Sequence, residues 1–224
     1  MKRICATNGA NPAKTVFPSF GGVNKNGKGD RKMGKIITVV LVLCIAAFAQ
    51  QKGTFTDSRD KKTYKTVKIG EQTWMAENLN YNAKGSKCYE NKPANCQKYG
   101  RLYYWNTVAC PKSWHLPDST EWNILTEAVG GEEKADKILK ATSGWKDNGN
   151  GEDKFGFAAL PGGFGEEGND GDFHYVGDYG YWWSATAVDD DIVYSRFMSY
   201  NSESVRKNYG NINDKLYSIR CVKD

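Results

Sequence analysis

The chain is 224 residues long and has only two histidines, His115 and His174. Nucleophilic catalysis needs a nucleophile, a base and a group that orients the base. No G-x-S-x-G or H-E-x-x-H sequence accompanies either histidine. His115 sits between Trp114 and Leu116 just before a helix start, where a structural histidine is expected. His174 lies between Phe173 and Tyr175 in a glycine-rich loop, where exposure is expected. The sequence therefore favours a non-catalytic protein; the alternative, an enzyme of unknown class, would need polar groups converging in a cleft around His115 or His174. No C-x-x-C pair occurs, which removes the usual zinc and dithiol-redox patterns. There is no internal repeat and no low-complexity tract.

Long apolar runs are equally scarce. The one present covers residues 36–48, after Met33-Gly34-Lys35 and before the small-x-small sequence Ala47-Phe48-Ala49. A basic start, an apolar stretch and such a site predict a signal peptide over 33–49, cleaved before Gln50. The run is shorter than the roughly 20 residues of a membrane span, so no stable span is expected after cleavage. Residues 1–32 are polar, basic and glycine-rich, and are expected to be a disordered start-site artefact upstream of Met33. The protein is expected to be secreted, at the cell surface or periplasmic.

Without the leader, the basic excess disappears. The chain carries 31 Lys+Arg and 26 Asp+Glu. Residues 1–49 hold eight of the former and one of the latter, which leaves 23 against 25, a net of −2, in residues 50–224. Nucleic-acid binding needs a basic folded face, so no nucleic-acid partner is expected.

Residues 50–224 are enough for one domain with a real core, and they contain all seven tryptophans. They also contain Cys88, Cys96, Cys110 and Cys221. Four cysteines in an exported chain read as two disulfides with three possible pairings. The preferred set is Cys88–Cys96 and Cys110–Cys221, although spacing does not exclude a crossed arrangement. In the chain-entropy model the long closure is worth on the order of 4–5 kcal/mol.

Residues 100–122 organise the rest. Asp118 stands at a helix N-cap with Glu121 in the capping-box position, and Trp122, Leu125, Ala128 and Val129 follow at helical spacing. Gly130-Gly131 ends this helix, and Glu132-Glu133 opens a second that stops at Ser143-Gly144. Residues 63–69 and 72–75 read as strands joined at Gly70-Glu71, with glycine at the first central position of the turn. Strands are also expected over 102–107, 155–160, 181–187, 192–200 and 216–222. Residues 82–98 read as an exposed excursion held by its own disulfide. Two helices among short antiparallel sheets and long loops give an α+β class.

Two kinds of surface are weighed as sites. Trp145 follows a helix-ending glycine and opens a polar loop, so it is the best candidate for an exposed ring. With Asp147, Asn148 and Asn150 it would form a glycan-binding surface, the ring stacking on a sugar and the polar groups meeting hydroxyls; the favoured alternative makes Trp145 a lid over the small core. Trp74, Trp105, Trp122, Trp182 and Trp183 lie in strand or helix patterns and belong to the core. Acidic residues cluster at Asp147 with Glu152 and Asp153, at 166–172, and at Asp189-Asp190-Asp191. None has EF-hand spacing, so no cofactor or metal is expected and calcium is the one ion considered.

The segments YKTVKIGEQTWMAENLNY (64–81), YGRLYYWNTVACPKSWHLPDSTEWNIL (99–125), FGFAALPGGF (155–164), GYWWSAT (180–186) and YSIRCV (217–222) resemble the Fibrobacter succinogenes major paralogous domain. That likeness runs in order over nearly all of 50–224 and implies a secreted or surface protein without an established activity. HLPDSTEW (115–122) is more distantly similar to a segment of the formylglycine-generating branch of the C-type lectin-like fold. The E-P-N, Q-P-D and W-N-D tripeptides of calcium-dependent lectins are missing, and Cys221 stands without a second late cysteine. The resemblance thus implies the C-type lectin-like fold and neither activity. The expectation is a non-catalytic surface module whose partner is a glycan or an envelope protein.

Overall fold

The computed structural model describes residues 51–108, 110–167 and 172–224, all within the unit formed by residues 49–224. The segments 1–32 and 33–49 lie outside the described residues. Strands and α-helices are numbered in chain order. The first sheet has the order β1-β2-β3-β11-β4. Its members are β1 (Lys52–Thr56), β2 (Thr63–Ile69), β3 (Gln72–Met75), β11 (Val222–Lys223) and β4 (Trp114–His115), all antiparallel. The β2–β3 turn is the expected two-residue hairpin, with Ile69 opposite Gln72 and Gly70 at φ +58°. Glycine tolerates that backbone without a Cβ penalty.

Three α-helices are present among the described residues. Helix α1 is Pro93–Tyr99, α2 is Ser119–Ala128 and α3 is Glu132–Leu139. The capping box of α2 forms as expected: Asp118 Oδ1 accepts from Glu121 N at 2.8 Å, and Glu121 Oε2 accepts from Asp118 N at 2.9 Å. Gly130 and Gly131 adopt φ of +109° and +94° and turn the chain from α2 into α3. Helix α1 corrects the expectation of two helices; most residues of the 82–98 excursion are exposed and its own disulfide is present, as expected. Pro93 begins α1 and Gly100, at φ +79°, ends it. That asymmetry is the readable signal for a short helix.

Two further antiparallel sheets complete the strands. One has the order β10-β5-β6, from Lys215–Leu216, Phe164–Glu166 and Phe173–His174. The other has the order β7-β8-β9, from Tyr179–Ala187, Ile192–Ser199 and Arg206–Asn211. Trp74, Trp122 and Trp182 are fully buried in one apolar cluster with Leu125, Leu139 and Phe157. Trp183 is fully buried in a second cluster with Tyr103, Tyr217 and Ile219.

Two expected strands reduce to isolated bridges, and a third, 216–222, keeps only its ends in strands β10 and β11. Residues 102–107 keep the alternation but pair only at Lys87–Leu102 and Tyr103–Tyr217, before a 3-10 turn at Trp105–Thr107. Trp105 leaves the strand direction to donate its Nε1 to Ser184 O at 2.9 Å. Residues 155–160 pair only at Ala159 with Lys140, because the carbonyls of Phe157 and Ala158 accept from the Arg220 guanidinium. Residues 216–222 touch every sheet in turn. Leu216 pairs with β5, Tyr217 with Tyr103, Ser218 with Trp182, and Val222 lies between β3 and β4.

Arg220, on this segment, is fully buried, yet its hydrogen bonds end on neutral oxygens. Asn78 Oδ1 accepts from its Nε at 3.1 Å and Nη2 at 2.7 Å. Burial pulls its pKa down to about 9, against the field of Glu77 and Asp153. Helix α3 is held by a second buried group: Lys140 Nζ lies 2.7 Å from Asp136 Oδ1 and donates to Ser199 O at 2.9 Å. Burial raises Asp136 to about 6 despite that ion pair. The structure joins Cys88 to Cys96 and Cys110 to Cys221, with Cα separations of 4.9 and 6.0 Å.

Candidate functional site

Of the two sequence readings of Trp145, an exposed stacking ring and a lid over the small core, the structure shows the lid. Trp145 is only 5% exposed. Its Nε1 donates to Ala159 O at 3.1 Å, its backbone N donates to Asn150 Oδ1 at 3.0 Å, and Lys140 Nζ sits 4.9 Å from its ring centre. A ring capable of closing the space between α3 and the 146–154 loop gains more from burial than from water. Asn150 therefore shapes the loop. Asp147 and Asn148 are exposed in left-handed backbone, at φ +48° and +60°. Asn148 and Asn150 do line a small cleft of about 220 Å³ with Tyr200, Asn201 and Glu203, but no exposed tryptophan ring faces it.

Aromatic rings are exposed elsewhere. Side chains on one face of a strand recur every second residue, and directly paired residues share a face. Tyr179, Tyr181 and Trp183 share one face of β7, with Phe197 opposite Tyr181 and Arg206 opposite Phe197. The inner end of this row is buried, at Trp183 and at Tyr217, which packs 4.3 Å from it. Tyr181 lies nearly parallel to Tyr217 (5.1 Å, 20°) and to Phe197 (5.6 Å, 19°). Further out, Tyr179 approaches Tyr181 at 6.0 Å, and Tyr175 meets Tyr179 edge-on at 5.3 Å. Phe164 flanks the row, 5.2 Å from Tyr181 and 5.1 Å from His174. Tyr179, Tyr181 and Phe197 are partly exposed, and Tyr175 is 53% exposed. Burial pushes the Tyr181 hydroxyl up to about 12, so it stays a neutral donor at any ordinary pH.

This face carries polar groups too. Arg206 is exposed beside Phe197, and Asn208 follows on the same face of β9. The arrangement offers flat apolar rings with hydroxyl and guanidinium donors at their margin. The alternation in 179–187 and 192–199 was visible in the sequence, but nothing there marked which tyrosines would remain at the surface.

The remaining candidates are placed differently. His115 is held between two carboxylates: Nδ1 lies 2.7 Å from Asp224 Oδ1 and Nε2 lies 2.7 Å from Glu121 Oε1. Burial opposes its charge, but the hydrogen bonds that the charged ring donates to Asp224 and Glu121 outweigh it and raise the pKa. The His174 ring packs at a tilt against Phe164 and Tyr175. Asp189 Oδ1 accepts from the backbone of Asp191 and Ile192, as an acidic turn residue does. Among the described residues, no three His, Cys, Asp or Glu side chains are grouped to hold a metal ion.

These features define a disulfide-stapled α+β domain with an aromatic surface on its third sheet. The model of the Fibrobacter succinogenes major domain matches residues 67–223, and the chain belongs to that family. No curated protein matches the chain, and no solved structure does.

Proposed function

We propose that the protein is an exported, non-catalytic module of C-type lectin-like fold that binds glycan on the face of Tyr175, Tyr179, Tyr181 and Phe197. The observation that carries this reading is the graded aromatic row, buried at Trp183 and 53% exposed at Tyr175. Sugar faces are apolar and flat enough to stack on such rings, whose hydroxyls reach the same surface. Rings anchored in a packed core lose little conformational freedom on binding, which favours a preformed site. Two disulfides fit an oxidising compartment outside the cytoplasm. The expected mature N-terminus is Gln50, and no cofactor is assigned.

A pull-down of the mature protein against insoluble polysaccharides and against envelope proteins tests this. The expected result is retention on polysaccharide, unchanged by a calcium chelator and lost in a Tyr179→Ala/Phe197→Ala variant. Capture by envelope proteins alone would move the function to protein recognition on the same surface. Retention unaffected by the double substitution would remove the aromatic face from the account.

A further inference from the structure

A second concavity, sharing no residue with the aromatic row, has a different chemistry. It is a cleft of about 470 Å³ between β1–β2, the end of α1 and residues 153–160. That volume lies within the roughly 300–1,000 Å³ of small-molecule sites. Four lysines line it: Lys52, Lys62, Lys65 and Lys98, against two carboxylates, Glu77 and Asp153. Among the described residues no carboxylate pairs with Lys52, Lys65 or Lys98. Lys62 Nζ donates to Asn80 O, inside the same lining, and also pairs with Asp60 Oδ2 at 3.8 Å, so three of the four lysines have no carboxylate partner among the described residues. Lys98 Nζ lies 4.7 Å from the Tyr99 ring centre.

The charge is reinforced from behind. Arg220 bonds to Asn78 and Ala158, which are themselves lining residues, and among the described residues no acid lies at hydrogen-bond distance from it. Low-dielectric walls focus such a field into a cleft. Both carboxylates are already engaged with backbone. Glu77 Oε2 accepts from Lys65 N at 2.6 Å, and Asp153 Oδ1 accepts from Ala158 N at 2.8 Å. Each retains a second oxygen able to accept a hydroxyl hydrogen.

We infer that this cleft binds a short anionic oligosaccharide, its carboxylates on the lysine ammonium groups and its hydroxyls on Asp153, Glu77, Thr63 and Gln97. The four lysines come from three separate segments of the lining: β1, the start of β2 and the end of α1. The Tyr64 and Tyr99 rings are buried, so no exposed ring is offered to a nucleobase. A chain of uronic acids supplies spaced carboxylates and many hydroxyls, which matches both features. This inference does not depend on the aromatic face.

The test is titration of the mature disulfide-bonded protein with an oligogalacturonate. A methyl-esterified oligomer of the same length and a sulfated neutral oligosaccharide serve as comparison ligands. Binding of the uronate is expected, weakening as salt rises from about 20 to about 200 mM. The esterified oligomer is expected not to bind. Lys65→Glu and Lys98→Glu should each weaken binding by about tenfold or more, since charge reversal opposes the ligand. Both lysines are exposed, so stability should hold within about 0.5 kcal/mol. Lys134→Glu, the same charge change on exposed α3, and Tyr179→Ala should leave the affinity unchanged. Equal weakening by Lys134→Glu, equal binding of the esterified oligomer, binding of the sulfated chain alone, or no binding of the uronate would each overturn the assignment. A glycan-binding face lost in Tyr179→Ala with the uronate site intact separates the two sites.

Discussion

Replacing Asn78 by alanine attacks the one polar centre on which the inner core depends. Its Oδ1 accepts from Arg220 Nε and Nη2 and from Trp182 Nε1 at 2.9 Å, and its Nδ2 donates to Tyr99 O at 2.8 Å and Ser218 Oγ at 3.3 Å. All of these groups lie inside the protein, and alanine leaves them without that partner. A hydrogen bond to a charged group contributes about 1.5–3 kcal/mol and a neutral one about 0.5–1.5 kcal/mol. One oxygen serves three donors here, so full additivity does not hold, and the expected loss is on the order of 4–6 kcal/mol. That is a large part of the 5–15 kcal/mol typical of a domain. The assay is urea denaturation of the oxidised protein, read as a shift in midpoint at constant slope. Most of the loss arises from a buried cation that loses the Asn78 oxygen and keeps only backbone carbonyls, so removing the cation should restore stability. Asn78→Ala/Arg220→Met is therefore expected to be more stable than Asn78→Ala alone. A loss below about 1 kcal/mol for Asn78→Ala, or a double variant no better than the sum of its parts, would refute the reasoning.

Peptide mapping without reduction should recover Cys88 linked to Cys96 and Cys110 linked to Cys221. Cys110→Ala/Cys221→Ala should lower stability by on the order of 4–5 kcal/mol, and a peptide joining Cys88 or Cys96 to Cys221 would contradict the fold. Asp118→Ala should cost about 1 kcal/mol through the lost cap of α2, read from the denaturation midpoint. The folded pKa of His115 is raised, so its stabilisation is complete below the unfolded value near 6.5 and fades as pH rises through the folded value. The melting temperature of the wild type should therefore exceed that of His115→Gln at pH 6, with the gap narrowing toward pH 9; a gap that widens with pH would reverse the sign of the linkage.

Local signals in the sequence were strong where a single rule decides the outcome. The β2–β3 turn required glycine at a left-handed position, and Gly70 supplies it. The cap of α2 required Asp118 and Glu121 three residues apart, and both hydrogen bonds form. Failures came where tertiary demands override local pattern. The alternation at 102–107 was real, but Tyr103 and Trp105 spend it on separate contacts with Tyr81 O and Ser184 O rather than on one partner strand. The stretch 155–160 gives its carbonyls to Arg220, a residue some sixty positions away, and no local pattern encodes that. Helix α1 was missed because cysteine, lysine and asparagine outweighed the Pro93 and Gly100 boundary signals. The site suffered the same way. A polar neighbourhood left Trp145 open to both an exposed and a lid reading, and the ring closes the core beneath its loop, while Tyr175 lies before the turn into β7 and Tyr179 opens a strand in which Trp182 and Trp183 are fully buried.

The aromatic face is tested most directly by isothermal titration of the mature protein with the neutral oligosaccharide released from whichever polysaccharide retains it. Tyr175→Ala, Tyr179→Ala and Phe197→Ala are each expected to cost about 1–2 kcal/mol of binding, a loss of roughly 5–30-fold, with an unchanged denaturation midpoint for exposed Tyr175. Full affinity in all three variants would contradict the claim that this face holds the glycan.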